Sequence, residues 1–118
     1  MYVVIAGGGV LGQGLARRLI ENRHDVVVVE REREVCEQIS SRTGALAIHG
    51  TATNIYNLED AGMKKADVAV GALPQDADNL AFALLGRFFE VPRTVARMRN
   101  PRYETAYTLA GVSRVLNM

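Results

Sequence analysis

Residues 2–12 read YVVIAGGGVLG, a short apolar run that passes directly into a glycine-rich turn. The run predicts a buried strand, and the G-x-G-x-x-G spacing after it predicts a phosphate-binding turn at the start of a helix. In that pattern Gly7 permits the tight turn, Gly9 lets the backbone approach a pyrophosphate, and Gly12 lets the helix pack closely on the strand. The stretch therefore predicts a strand, turn and helix that together hold an anion.

The same alternation of apolar runs and helical periodicity continues along the chain. Strands are predicted at residues 2–6, 25–30, 45–49, 67–72, 94–97 and 114–116, and helices at 10–22, 32–43, 54–61, 76–90 and 101–110. Alternating strands and helices favour a parallel sheet, and the four consecutive valines at 26–29 indicate a strand buried on both sides. With right-handed crossovers, the fold class is α/β: a Rossmann-like, doubly wound parallel sheet of six strands in the order 3-2-1-4-5-6, with helices on both faces.

An acidic residue ends the second predicted strand. Glu30 lies 18 residues beyond Gly12, where a carboxylate can accept two hydrogen bonds from a ribose while the N–H groups near Val10 and Leu11 face the phosphates. The same charge repels the extra 2′-phosphate of an NADP-type ligand. Arg31 follows, and beside Glu30 it either stacks over the adenine or points to solvent.

Length and composition limit the class of protein. The chain has 118 residues, of which 48% are apolar and 23% charged, so we expect one domain over residues 1–118. This is too short for a dehydrogenase with a separate substrate domain. The net charge of +1 gives no global attraction to nucleic acid or anionic lipid. The lone Cys36 and the lack of a membrane-spanning run lead us to expect a cytoplasmic protein.

The sequence offers no convincing catalytic group. None of the four tyrosines has a lysine four residues on, so the Tyr-x-x-x-Lys pair of short-chain reductases is absent. His24 and His49 are interpreted as structural, and Asp76 and Asp78 as acids that complement a helix dipole. No residues have convincing metal-ligand spacing. A binding and sensing domain is therefore favoured over an enzyme. Two alternatives stay open: a small oxidoreductase with an intersubunit substrate site, and a protein-interaction module that has lost its nucleotide.

Aromatic residues predict a subunit interface. The predicted helix 76–90 is apolar around nearly its whole circumference and holds Phe82, Phe88 and Phe89, the three phenylalanines of the chain. An amphipathic covering helix leaves a wider polar stripe, so one side is expected to pack on the sheet and the other to meet a second subunit; the alternative is a helix buried deep in the core of this chain. In the predicted helix 101–110, Tyr103 and Tyr107 lie one turn apart and add aromatic area suited to an interface.

These motifs occur together, in the same order, in a known family. They are IAGGGVLG at 5–12, VVE at 28–30, GTAT at 50–53, LEDAG at 58–62, Asp76 with Asn79-Leu80, Val91-Pro92, ARMRNP at 96–101 and Gly111-Val112. Over residues 2–117 the chain resembles the nucleotide-binding N-terminal lobe of the RCK family, also called KTN or TrkA-N. These cytosolic subunits and domains regulate potassium channels and the Trk and Ktr potassium transporters.

The resemblance implies a ligand and its contacts. The ligand is NAD(H) or an adenine nucleotide (ATP, ADP or AMP). Its phosphates lie on Gly7, Gly8, Gly9, Val10 and Leu11, its ribose on Glu30 and its adenine near Thr51 and Ala52, while Leu73 and Pro74 line the crevice and Arg97 reaches toward phosphate. The resemblance further implies homodimers or larger rings on the inner face of the membrane, bound to a potassium transporter subunit and gated by ligand exchange.

The chain departs from the family pattern at several positions. Many relatives have an arginine where this chain has Val10, an acid where it has Thr51, and a threonine where it has Leu73. Val10 removes one phosphate contact and weakens the case for a triphosphate, Thr51 weakens the expected hydrogen bonding around the adenosine, and Leu73 costs a hydroxyl contact. Calcium-gated relatives carry carboxylates near the positions of Arg97 and Arg99, so the two arginines argue against a calcium site of that type.

Overall fold

Six strands alternate with five α-helices over residues 1–117, the part of the chain that the computed structural model describes. The strands are Tyr2–Ala6 (β1), Asp25–Glu30 (β2), Leu46–His49 (β3), Val68–Gly71 (β4), Arg93–Arg97 (β5) and Val112–Leu116 (β6). The helices are Val10–Glu21 (α1), Arg33–Thr43 (α2), Ile55–Asp60 (α3), Asp76–Phe88 (α4) and Glu104–Leu109 (α5). Within this range no helix is both long and apolar enough to span a bilayer.

All neighbouring strands pair in parallel, in the order β3-β2-β1-β4-β5-β6. The predicted doubly wound topology is confirmed. From β1 the chain winds outward to β3, then crosses over to β4 and winds outward in the opposite direction. The connections that leave β1 and β4 therefore diverge, and a crevice opens between them at the carboxyl ends of the strands.

Each face of the sheet is covered by its own helices. One face packs on α3 and α4 in a core that includes Val4, Val27, Leu58, Ala69 and Phe82. The other face packs on α1 and α2 in a core that includes Val3, Val28, Ala16, Ile39 and Val70. All four valines of residues 26–29 are buried, so the prediction that this strand is covered on both sides is confirmed.

Several element boundaries differ from the predicted ones. The predicted helix 101–110 is a 3-10 turn, Pro101–Tyr103, followed by α5, because the Asn100 side chain accepts a hydrogen bond from the Arg102 N–H and caps the turn first. The predicted helix 76–90 ends at Phe88, since Glu90 has the left-handed φ of 58°. A second 3-10 turn, Met63–Lys65, was not predicted.

Three of the five aromatic residues predicted at an interface lie inside this chain instead. Phe82 is 0%, Tyr107 1% and Phe89 7% exposed. The prediction was wrong for them because Phe82 on α4 and Phe89, the residue that follows α4, both pack into the sheet core, and the Tyr107 hydroxyl hydrogen-bonds to backbone carbonyls. Phe88 does point outward and is 65% exposed, while Tyr103 is partly buried and packs edge-on against Tyr107.

The glycine turn brings α1 unusually close to β1. A Cβ atom added to Gly12 would fall well inside van der Waals contact of the Gly7 carbonyl oxygen, whereas one added to Gly14, two residues on and on the exposed side of α1, meets nothing within 4 Å. Gly7 itself has a φ of +97°, which L side chains rarely adopt.

We expect opposite effects from the same substitution at these two helix positions. Gly12→Ala should lower the free energy of unfolding by about 1–3 kcal/mol or more, because the backbone oxygen cannot move aside cheaply. Gly14→Ala should raise it by about 0.5–1 kcal/mol, the gain in helix propensity at an open site. Urea unfolding of both variants tests this, and equal effects would contradict the close contact.

Candidate nucleotide-binding site

A crevice of about 670 Å³ opens at the carboxyl ends of the central strands. Its wall is formed by residues 7–11, 29–32, 35, 50–53, 72–75, 78, 97 and 99. All twelve residues predicted from the sequence to bind ligand lie on this wall. The topology thus brings together side chains that are up to ninety positions apart in the sequence, and their individual roles stay predictions.

The glycine turn forms one side of the crevice. The Gly7 N–H donates to the carbonyl of Val29 at 2.9 Å, which ties the turn to the end of β2. Gly9 precedes the first residue of α1, has no side chain with which to cap the helix, and is followed by a first turn that contains no acid. The first N–H groups of a helix have no partner within the helix, so this end of α1 favours an anion.

Glu30 lies between the turn and the start of α2. One carboxylate oxygen accepts a 2.8 Å hydrogen bond from the Gly8 N–H, and the other accepts one of 2.8 Å from the Glu32 N–H. Sequence reasoning predicted Glu30 as a ribose contact and missed these bonds to the backbone. Because a carboxylate offers about four acceptor positions, it can hold the turn and still accept hydrogen bonds from a ligand.

Two side chains hold the backbone beside Glu30. His49, with its ring Nε2 3.0 Å from the Arg31 carbonyl, donates to that oxygen. The Cys36 thiol donates to the Glu30 carbonyl at 3.3 Å and is half-buried. Burial, and then the negative charge of Glu30, raises the pKa of Cys36. This thiol is therefore protonated near neutral pH and is a poor nucleophile.

Arg97 forms the opposite side of the crevice. Its Nη2 donates to the Leu73 carbonyl at 2.8 Å, and its buried Nε has no hydrogen-bond partner among residues 1–117. Burial, followed by the nearby charge of Arg99, lowers the pKa of Arg97, but an arginine keeps its charge at neutral pH. The Arg97 side of the crevice therefore carries a positive charge, and the buried Nε of Arg97 is a hydrogen-bond donor without a partner in the described chain.

Three buried side chains support this side from behind. Asp76 accepts from the N–H groups of Arg99 at 2.8 Å and Asn100 at 2.7 Å. Asn79 pairs with both the N–H and the carbonyl of Leu73 at 2.9 and 3.0 Å. Tyr107 donates to the Arg97 carbonyl at 2.8 Å. These three residues are called the rear network below.

Sequence reasoning missed the rear network. It assigned Asp76 to the helix dipole and Tyr107 to an interface, and Asn79 only to a family motif. The sequence did contain a signal for Asp76 and Asn79. They lie one helical turn apart, directly after residues 72–75 of the crevice wall, and Asp and Asn side chains readily hydrogen-bond to nearby backbone groups.

The acid-base groups on the crevice wall are the carboxylates of Glu30, Glu32 and Asp78, and that of Glu30 is bonded to two backbone N–H groups. Among residues 1–117, the wall contains no histidine, lysine, cysteine or tyrosine. The same range holds no group of three His, Cys, Asp or Glu residues that could bind a metal ion. The arrangement suits binding: a backbone anion site, a carboxylate beside it, and an arginine across the crevice.

Residues 3–118 match the family model described as the TrkA-N domain. The chain belongs to the TrkA-N family. This confirms the resemblance to the RCK and TrkA-N proteins. The TrkA-N chain is 40% identical over 117 residues to a Trk system potassium uptake protein TrkA homolog of Methanothermobacter thermautotrophicus, covering 99% of this chain and 54% of that protein.

A second curated relative is also a Trk system protein. The Trk system potassium uptake protein TrkA of Mycobacterium tuberculosis is 34% identical over 105 residues, which cover 88% of the TrkA-N chain and 47% of that protein. The TrkA-N chain thus spans about half the length of these curated relatives.

Solved structures share the fold at low identity. The TrkA-N domain of the inner membrane protein ybaL from Escherichia coli superposes with a TM-score of 0.89 at 21% identity, covering 98% of this chain and 86% of that one. The GsuK channel bound to NAD gives 0.86 at 23%, with 98% and 21% covered. The Kef C-terminal domain of Shewanella denitrificans in its AMP-bound form gives 0.83 at 24%, with 100% and 72% covered.

The rear network predicts a pH dependence of stability. Burial and the nearby Asp76 raise the pKa of Tyr107 to about 12, from an ordinary value of 10.0. Because the pKa is higher in the folded than in the unfolded chain, this stabilisation is complete below about pH 10 and is lost as the pH rises toward 12. Urea unfolding between pH 9 and 12 should show that Tyr107→Phe loses less stability over this range than wild type. Tyr103→Phe is the control and should follow wild type, and parallel curves for all three would contradict the assignment.

Proposed function

We propose that residues 1–118 act as one nucleotide-binding regulatory unit of a membrane potassium transport system, with NAD(H) or an adenine nucleotide (ATP, ADP or AMP) as the ligand. The observation that carries this proposal is the empty space at Gly9, where an added Cβ meets nothing within 4 Å. Gly9 has an ordinary φ of −74°, so the fold does not require glycine there. A ligand that touches the backbone at Gly9 requires glycine there, because a Cβ would occupy the same space.

The proposed ligand lies across the crevice. Its phosphates contact the turn at Gly7, Gly8 and Gly9 and the helix N-terminus at Val10 and Leu11. Its ribose hydroxyls donate to the acceptor positions of Glu30 that the backbone leaves free, and its adenine lies between Arg31 and the wall at Thr51 and Ala52. Leu73 and Pro74 line the crevice beyond the turn, where the positive guanidinium of Arg97 faces phosphate. Glu30 repels a 2′-phosphate, so NAD is preferred over NADP.

The relatives support this assignment. The structural neighbours include GsuK bound to NAD, GsuK bound to ADP and a Kef domain bound to AMP. The curated relatives are named as Trk system potassium uptake proteins. The described crevice wall holds no histidine, lysine, cysteine or tyrosine, and the unit is proposed to sense its ligand without chemical turnover. Its partner is a potassium transporter or channel subunit, and the unit lies at the cytoplasmic face of the membrane.

Assembly is proposed to use the outer surface of α4 and α5. Leu84, Phe88 and Leu109 are the large apolar side chains exposed on these helices, and they replace the buried Phe82, Phe89 and Tyr107 as interface residues. Two copies that meet there form the homodimer from which larger rings are built.

The nucleotide is proposed to gate the transporter by a population shift. A nucleotide that binds one ring arrangement more tightly than another shifts the population between them, and this shift gates the transporter.

Gly9→Ala tests the proposed ligand site. The variant should keep the stability of wild type, since its backbone angles suit alanine and the added methyl group has free space. It should bind NADH and AMP at least about tenfold more weakly, equivalent to about 1.4 kcal/mol, because the methyl group occupies the position of the phosphates. Isothermal titration calorimetry measures this, and Gly14→Ala is the matched control. Wild-type affinity in the folded Gly9→Ala variant would exclude the turn as the phosphate site.

Phe88→Glu tests the proposed interface. A carboxylate in the centre of an apolar contact is desolvated without a partner, so the variant should be monomeric where wild type is dimeric or larger. Light scattering coupled to size-exclusion chromatography measures the mass. Tyr56→Glu, another exposed aromatic residue on α3, is the control and should leave the mass unchanged. An unchanged mass for Phe88→Glu would place the interface elsewhere.

A further inference from the structure

The rear network connects the crevice to a helix that does not line it. Leu73 and Arg97 are on the crevice wall, whereas Tyr107 belongs to α5 and is buried behind that wall. Each contact in the network joins a side chain to a backbone group, so it fixes the path of the chain and not merely a rotamer.

Asn79 holds the two crevice segments together. Besides its pair of hydrogen bonds to Leu73, its Nδ2 lies 3.2 Å from the carbonyl of Arg97 and donates to it. The amide is fully buried, and it approaches β4 so closely that a Cβ added to Gly71 would lie 3.0 Å from its Oδ1. Asn79 therefore ties the loop after β4 to the end of β5, in addition to the hydrogen bond from the Arg97 guanidinium to the Leu73 carbonyl.

Asp76 extends this connection beyond β5. Its two carboxylate oxygens accept the N–H groups of Arg99 and Asn100, the segment that leads from β5 to α5. A mostly buried carboxylate that receives two charge-assisted hydrogen bonds is a strong anchor. The segment is thereby fixed to the first residue of α4.

The Tyr107 hydroxyl completes the connection from the side of α5. It lies 2.8 Å from the Arg97 carbonyl and 3.2 Å from the Asp76 carbonyl. A hydroxyl has one proton, so it bonds fully to one of these oxygens or shares the proton between them. Its position thus depends on where the end of β5 lies relative to the start of α4.

We propose that Tyr107 is a positioning residue that couples nucleotide occupancy of the crevice to the position of α5, through its hydrogen bond to the Arg97 carbonyl. The inference rests on the proposed nucleotide site. Arg97 is where a ligand would act, because it lines the crevice and its guanidinium donates to the Leu73 carbonyl. A bound phosphate competes for this guanidinium and shifts the backbone that Tyr107 holds.

The coupling must also operate in reverse. If the ligand changes the position of α5, then a contact that fixes α5 changes the ligand affinity by the same factor. Leu109, on the outer side of α5, is among the residues proposed to form the subunit interface. Tyr107 therefore connects nucleotide binding to assembly within a single helix of six residues.

Hydrogen exchange tests the coupling. The amide exchange of residues 104–109 is measured in wild type, Tyr107→Phe and Tyr103→Phe, each with and without saturating NADH or AMP, and the affinities are measured by calorimetry. Wild type and Tyr103→Phe should show slower exchange in α5 when ligand is bound. Tyr107→Phe should bind about fivefold or more weakly, a typical size for such coupling, and should show no ligand effect on α5 at saturation.

The outcomes separate this inference from the proposed function. If wild type binds neither nucleotide, the proposed function is contradicted and the coupling with it. If wild type binds but exchange in α5 does not respond, the coupling alone is wrong, and this result requires no variant. If Tyr107→Phe is folded by circular dichroism and behaves as wild type in both measurements, the hydroxyl does not transmit the signal.

Discussion

The contact between Gly12 and the carbonyl of Gly7 is the constraint on which the crevice depends. Only a residue without a Cβ lets α1 begin directly against the end of β1, so the first turn of the helix opens at the carboxyl edge of the sheet. The unpaired N–H groups are thereby directed at the crevice. Moving α1 outward by the width of a methyl group would separate these groups from Glu30 and from the loop after β4.

The two sides of the crevice are rigid for different physical reasons. The glycine side is held mainly by backbone bonds and by one carboxylate, because the residues there have little or no side chain to pack. The arginine side is held by the rear network, in which buried polar side chains satisfy backbone groups that no strand partner reaches. Such bonds are costly to break in a buried environment. A ligand that bridges the two sides therefore connects the sheet interior to α5.

The sequence alone predicted what periodicity and local chemistry determine. The alternation of strands and helices, the valines of β2 and the glycine spacing gave the sheet order, and that order brought all twelve predicted site residues to one crevice. The sequence alone could not place Phe82, because a helix that is apolar all around does not reveal which side meets the sheet. It could not place Tyr107 either, because the backbone carbonyls that its hydroxyl contacts lie on other elements. The residue types of Asp76 and Asn79 indicated bonds to backbone but not their partners, which lie more than twenty positions from Asp76 and, for Asn79, in the loop after β4 and on β5. The 3-10 turn Pro101–Tyr103 was not predicted either, because it depends on the hydrogen bond that the Arg102 N–H donates to the Asn100 side chain.

The thiol that donates to the Glu30 carbonyl has a consequence for redox chemistry. Oxidants and alkylating reagents attack the thiolate, and both burial and the Glu30 charge keep the single cysteine protonated. The residue beside the proposed ribose site is therefore slow to form a sulfenic acid or a mixed disulfide. Oxidative conditions that modify thiols of lower pKa therefore leave this end of the crevice chemically intact.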